Sequence, residues 1–206
     1  MSSLRDMTVE QYLAAVASDA PSPGGGAVAA LVVAQAGALA AMAGRFSAGR
    51  EGSDIPAMIE LVAAADRLRE FGGVLSDADA AAFEDYRRAV RLPREPDGQA
   101  RAEAIREATS TAADVPLQTA EAAAEVGRLA VVLVEEGNRH LRGDAAAAAL
   151  LASAAATTAA LMVVENLAKR PEDPRTDTAR DVAEAARASA QRALAQFPAM
   201  TVEAGS

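Results

Sequence analysis

Apolar positions recur along this chain at steps of three and four from Val9 to about Gln196, and no stretch of any length alternates with the period of two that a strand requires. The chain therefore reads as helix after helix. Val9, Tyr12, Leu13 and Val16 make the first stripe, and Thr8 followed three residues later by Gln11 has the form of a capping box. A second helix runs to about Phe46. Ser53 or Asp54, with Pro56 behind it, opens a third that continues to Leu92 through the Gly72-Gly73 pair. Leu92-Pro93-Arg94-Glu95-Pro96 stops it, and Asp97 can cap a fourth that passes Glu103 and Ile105 towards Asp114. Pro116 either kinks that helix or starts a new one, and the period continues from Ala120 to Val134. Gly137 and Asn138 suit a left-handed C-cap, Asp144 is placed to cap the next helix, and Thr176 to Gln196 forms the last.

Two segments break the amphipathic pattern. Gly24 to Gly44 and Ala145 to Val164 carry no charge and are long enough to cross a bilayer. They are rich in Ala, Gly, Ser and Thr, however, so central helices buried on all sides explain them better than membrane spans do. Alanine and glycine along the second helix allow a neighbouring backbone to come close, near the lower end of the ~8 to 10 Å interaxial range. The third helix holds the opposite anomaly. Leu68, Gly72, Leu75, Asp79, Phe83, Tyr86 and Val90 share one face, which places Asp79 in an apolar stripe. A carboxylate is costly to bury there unless it is paired, hydrogen-bonded or protonated, and groups kept in such places are disproportionately functional. Asp77 shares its own face with Glu70, Glu84 and Arg88, an ordinary solvated pattern.

Immediately before the first charge-free run lies Pro21-Ser22-Pro23-Gly24-Gly25-Gly26. The prolines hold the chain extended, and the glycines permit left-handed or crowded backbone where a long helix begins. Unpaired N–H groups at a helix start, with no side chain in the way, can receive an anionic or carbonyl-bearing ligand; a tight interhelical turn is the plainer reading.

Composition narrows the function. Of the 206 residues 51% are hydrophobic but only 3% aromatic, so the apolar content is mostly alanine, and each methyl buries little, ~0.8 kcal/mol. One domain spanning residues 1–206, built of long and closely packed helices, is expected to need a subunit interface as well. A net charge of −9 without a basic stripe speaks against nucleic acid. The absence of cysteine excludes thiolate catalysis and sulfur-bound metal, and the single histidine, His140, makes an imidazole metal site improbable. Met1 to Ala20 lacks the apolar core of a signal peptide, so a cytoplasmic location is expected.

Taken together, Pro21 to Ala30, Asp79-Ala80-Ala81-Ala82-Phe83, Arg91-Leu92-Pro93, Val115-Pro116-Leu117, Gly137-Asn138 and Asp144 resemble the C-terminal family of formiminotransferase-cyclodeaminase, in that family's order and from Leu4 to about Phe197. The resemblance implies an all-α homodimer with a folate site in a groove at the subunit interface. It implies cyclisation of 5-formiminotetrahydrofolate to 5,10-methenyltetrahydrofolate with loss of ammonia, or interconversion of methenyl- and 10-formyltetrahydrofolate by cyclohydrolase chemistry. Asp79 is the candidate proton-transfer group for either reaction, and no metal or redox cofactor is needed. The substrate-binding set carried over is Pro23, Gly24, Gly25, Gly26, Phe83, Asn138, Asp144 and Asn166, with Arg45 and Arg50 as cations for a glutamate tail. Asp144 and Asn166 lie ~33 Å apart on one helix and cannot share a site within one subunit.

Three positions depart from the family pattern. Ala27 and Gly143 stand where the family has serine, and Met162 stands where an asparagine is expected. These losses support an alternative: an inactive helical dimer serving as a folate-binding or protein-interaction module. Intact Asp79 and PSPGGG support the enzyme.

Overall fold

The computed structural model describes residues 3–49, 54–94 and 98–197, and all its regular structure is helical. Six α-helices follow in order: α1 (Val9–Val16), α2 (Gly25–Ala48), α3 (Ile55–Arg91), α4 (Gly98–Glu136), α5 (Arg142–Asn166) and α6 (Arg175–Leu194). Single 3-10 turns at Leu4–Asp6 and Arg139–Leu141 precede α1 and α5.

Local chemistry accounts for most of the boundaries. Thr8 and Gln11 form the expected reciprocal capping box of α1. Asp54 caps α3 by accepting from the Ala57 N–H, with Pro56 in the first turn. Asp97, the expected cap of α4, lies outside the described residues. Pro116 does not divide α4, which runs on past it as one helix of 39 residues.

Small residues set how α2 and α3 dock. A Cβ on Gly72 would fall 2.7 Å from the Ala30 carbonyl oxygen, and one on Gly37 would fall 3.0 Å from the Arg69 amide. Further along, Gly44 meets Val62 and Leu61. Numbers rise on α2 as they fall on α3, so the pair is antiparallel and its register is fixed by backbone contact. Continued outward, that register brings the start of α2 to Asp79.

Around this pair, α2 also packs on α4 and α5, while α5 packs on α2, α4 and α6. The core is alanine with scattered larger groups such as Val33, Val126, Leu133, Val134, Val163 and Leu167. Half of the α2 residues are buried, yet Phe46 is 62% exposed, and on α5 Leu150 and Leu161 are 43% and 57% exposed. The two charge-free helices are thus central without being buried on all sides. Both remain long and apolar enough to cross a membrane by length and composition. The α1 stripe behaves similarly: Val9 and Leu13 face outward, and α1 has no buried residue.

Two further expectations change. Gly137 and Asn138 form no left-handed C-cap, since Gly137 lies outside the left-handed region and Asn138 sits at φ −69°. Gly137 is needed for proximity instead, because a Cβ there would lie 2.9 Å from Ser47 Oγ. Asp144 is not the N-cap of α5; that helix begins at Arg142, continuing the 3-10 turn, and Asp144 lies in its first turn.

Candidate functional site

Asp79 projects from α3 onto the N-terminus of α2. Gly24, the N-cap residue, offers no side chain to the helix, and the Asp79 carboxyl takes that place by accepting from the Ala27 N–H. The approach is so close that a Cβ on Gly26 would lie 2.1 Å from Asp79 Oδ1. Gly26 is therefore glycine to admit a carboxyl group, while Gly25 lies against the Met162 thioether and Gly24 alone of the three faces open space. None of the three glycines adopts the left-handed conformation that their sequence allowed.

Burial raises the Asp79 pKa above the ordinary carboxylate value, and the Ala27 hydrogen bond offsets only part of that rise. The carboxyl thus holds a proton more readily than an exposed aspartate does. Its neighbour Asp77 accepts from Ser3 Oγ and the Leu4 N–H, both at 2.6 Å, and so pins the N-terminal segment to α3. The solvated role expected for Asp77 is replaced by an anchoring one. Leu4, held in this way, packs with Ala27 and Ala80 behind the site.

A cavity of about 650 Å³ opens beside Asp79. Phe83 and Tyr86, one and two turns further along α3, line it together with Ile105 and Thr109 of α4 and Met162 of α5. These surfaces suit a partly apolar group. Asn166 lines the cavity too, as does Ser22 of the loop, whose buried Oγ has no partner among the described residues. Arg106, Lys169 and Arg170 line the cavity with Glu165 among them, a rim with a surplus of positive charge: Arg106 pairs with Glu103 at 3.3 Å, Arg170 donates to the Arg106 carbonyl, and Lys169 has no hydrogen bond or ion pair with any described residue. In an acidic chain this placement favours a ligand with an anionic end.

The structure brings Gly24, Gly25, Gly26, Asp79, Phe83 and Asn166 together at this cavity. Pro23 is buried beneath the loop and does not line it. Arg45, Asn138 and Asp144 stand at the opposite end of the bundle. There Arg45 pairs with Asp66 at 2.5 Å, and Asn138 donates to the Phe46 carbonyl while its backbone N–H donates to Ser47 Oγ. Arg50 lies outside the described residues. The rim cations were missed from sequence, although Lys169, the chain's only lysine, follows Asn166 by three positions and could have been added to its stripe.

An antiparallel helical bundle carrying a desolvated carboxyl at a helix N-terminus, between an apolar slot and a cationic rim, defines a class of site suited to proton transfer on a flat anionic substrate. Residues 8–199 match the model of the formiminotransferase-cyclodeaminase family, and the chain belongs to that family. Over 145 residues it is 35% identical to a methenyltetrahydrofolate cyclohydrolase of Methylorubrum extorquens, covering 67% of this chain and 68% of that one. Over 150 residues it is 35% identical to the formimidoyltransferase-cyclodeaminase of Sus scrofa, covering 69% of this chain but 27% of that longer protein. The fold matches a crystal structure of formiminotetrahydrofolate cyclodeaminase from Thermotoga maritima with a TM-score of 0.85 and 25% identity, over 96% of this chain and 98% of the other.

The three departures take on definite positions in this frame. Ala27 has no hydroxyl, but its backbone N–H still serves Asp79. Met162 contributes thioether surface to the cavity, 3.5 Å from where a Gly25 Cβ would be. Gly143 faces open space at the far end.

Proposed function

We propose that this chain is a folate-dependent one-carbon enzyme in which Asp79 moves the proton. The observation that carries this reading is the Asp79 carboxyl seated on the N-terminus of α2 at the cavity, with its pKa raised by burial. In the cyclodeaminase reaction N10 bonds to the formimino carbon, the carbon–nitrogen bond to the departing amine breaks, and a cationic methenyl bridge results. With the formimino group protonated at the start, Asp79 would take the proton from N10 and hand it to the departing NH2, which leaves as ammonia. As a carboxylate it would then stabilise the cation. In the cyclohydrolase reaction water adds to the same carbon and gives a proton to the same group; the carbon–N5 bond then breaks as the hydroxyl proton passes to N5, leaving the formyl group on N10. Neither sequence transfers electrons, so neither calls for a metal or redox cofactor. Much of the acceleration comes from holding an intramolecular ring closure in its reacting geometry.

A module that had lost its chemistry would gain stability by replacing a desolvated carboxyl, so retention of Asp79 favours the enzyme over an inert scaffold. We further infer a homodimer. Phe46, Leu150 and Leu161 leave apolar surface on the central helices, and a two-fold copy is the commonest way to cover such a face. The second copy would also bring Asp144 to a cavity that its own subunit's Asp144 cannot reach. The acidic, cysteine-free composition favours a cytoplasmic enzyme acting on a small molecule rather than on nucleic acid.

The test is turnover of 5-formiminotetrahydrofolate and of 5,10-methenyltetrahydrofolate by the purified protein, read from the methenyl chromophore, with light scattering for assembly. Formation of the chromophore from the first identifies a cyclodeaminase, and its loss from the second above the uncatalysed rate a cyclohydrolase. Inactivity on both, or a stable monomer at micromolar concentration, would overturn the corresponding half of the proposal.

A further inference from the structure

Pro116 has no N–H, so the carbonyl of Ala112, four residues earlier in α4, has no partner from the helix ladder. A buried proline inside a 39-residue helix is a costly choice unless something uses that free carbonyl. Asn166, the last residue of α5, uses it: Nδ2 donates to the Ala112 oxygen at 2.5 Å. A carbonyl can only accept, so this contact orients the carboxamide, with the NH2 group on α4 and Oδ1 turned away from it. No described residue donates to Oδ1, and both Ala112 and Asn166 line the cavity that contains Asp79.

We propose that Pro116 is a positioning residue for the cavity: acting through the Ala112 carbonyl it fixes the Asn166 carboxamide so that Oδ1 accepts a hydrogen bond from a ring N–H of the ligand. A fixed acceptor beside the apolar slot of Phe83 and Met162 selects a flat heterocycle that presents a donor edge and rejects one that presents only acceptors, because an acceptor there would leave two lone pairs opposed. The inference rests on the folate reading for its ligand, a reduced pteridine, whose ring carries amide and amino N–H groups. It adds which side chain reads that ring and what holds the side chain in place. The anionic end of the ligand is left to the separate rim of Arg106, Lys169 and Arg170.

Calorimetric titration with 5-formyltetrahydrofolate, and competition by p-aminobenzoylglutamate, which has the tail but no pteridine, test the proposal on the full chain. Asn166→Leu is expected to weaken 5-formyltetrahydrofolate binding about tenfold, the loss of one buried hydrogen bond, with p-aminobenzoylglutamate unaffected. Pro116→Ala returns an N–H to Ala112 and frees the carboxamide, so it should weaken 5-formyltetrahydrofolate in the same selective way while the melting temperature holds or rises. The double variant should bind no more weakly than Asn166→Leu alone. Parental affinity in Pro116→Ala, additive losses in the double variant, or equal losses for both probes would overturn it. A parent chain that binds no 5-formyltetrahydrofolate would instead refute the folate reading, and this inference with it.

Discussion

The two ends of α2 handle polar groups in opposite ways. At the C-terminal end they are spent on one another: Arg45 on Asp66, Asn138 on Phe46 and Ser47, and Arg142 on the Val134 carbonyl. At the N-terminal end a carboxyl is buried at a cavity, and a serine hydroxyl and a rim lysine have no partner among the described residues. The difference teaches how to weigh the family's motif residues one at a time. Arg45 and Asn138 are accounted for by their own contacts, whereas Asp79 carries a desolvation cost that its one backbone hydrogen bond does not recover. Asp144 is the exception at the far end. It has lost its capping explanation and keeps only the favourable field of a helix first turn.

The sharpest way to break this contrast is Asp79→Asn. It should lower turnover by about 10² to 10⁴ while keeping an acceptor for Ala27. The sign of its stability effect follows from linkage. A raised carboxyl pKa contributes stability that is full below the unfolded value near 3.9 and is lost as pH rises through the folded value. The variant should therefore match the parent in acid and equal or exceed it in urea at neutral pH. An active Asp79→Asn enzyme would remove the mechanism.

Next in size is a test of whether the two ends meet across a dimer. Asp144→Asn alone should be impaired. Mixed and reassembled with Asp79→Asn in equal amounts, it should recover about a quarter of parental activity, because half of randomly paired dimers hold one intact composite site. No recovery on proven subunit exchange would confine each site to one chain.

Asp77→Ala separates anchoring from chemistry two residues away from Asp79. It should cost about 1 to 3 kcal/mol in denaturant unfolding by releasing Ser3 and Leu4, with little change in turnover. A collapse of activity at unchanged stability would mean that the two aspartates form one site.

The smallest effect expected is in acid. Asp173, held by Arg175 through hydrogen bonds, has its pKa lowered to about 2, and Arg175 also reaches Ser110 and Asp114 on α4. Stability from this clip is present above the unfolded value near 3.9 and fades as pH falls towards about 2, opposite in sign to the Asp79 contribution. Asp173→Asn should flatten that acid limb by roughly 1 kcal/mol, allowing for solvent screening. An unchanged acid limb would leave the clip without a role in stability.

Period and punctuation made the fold legible: the Thr8 box, the Asp54-Pro56 start and the Pro93 stop each act within a few residues, and the structure follows them. Asp79 was legible because a charge in an apolar stripe stands out against its own helix. Asp77 misled because its partners, Ser3 and Leu4, are more than seventy residues distant, beyond any periodic reading. Pro116 left a kink or a new helix open, and the structure excludes only the new helix; that the freed carbonyl would be met by a side chain from elsewhere, Asn166, was not legible. The purpose of Gly26 was equally hidden. Its freedom suggested an unusual backbone, while the requirement was space for a group arriving from another helix.

The contact of Gly72 with the Ala30 carbonyl has a meaning beyond packing. It works as the fixed stop of a ruler whose reading is taken two turns away, roughly 10 Å along α3, where Asp79 meets Gly26. A stop made of backbone has almost no tolerance, because there is no flexible side chain to take up an error. Thickening it by a single methyl at Gly72 would therefore be felt as a mis-set distance at the Asp79 carboxyl, so that part of this site's calibration lies in a residue outside the cavity.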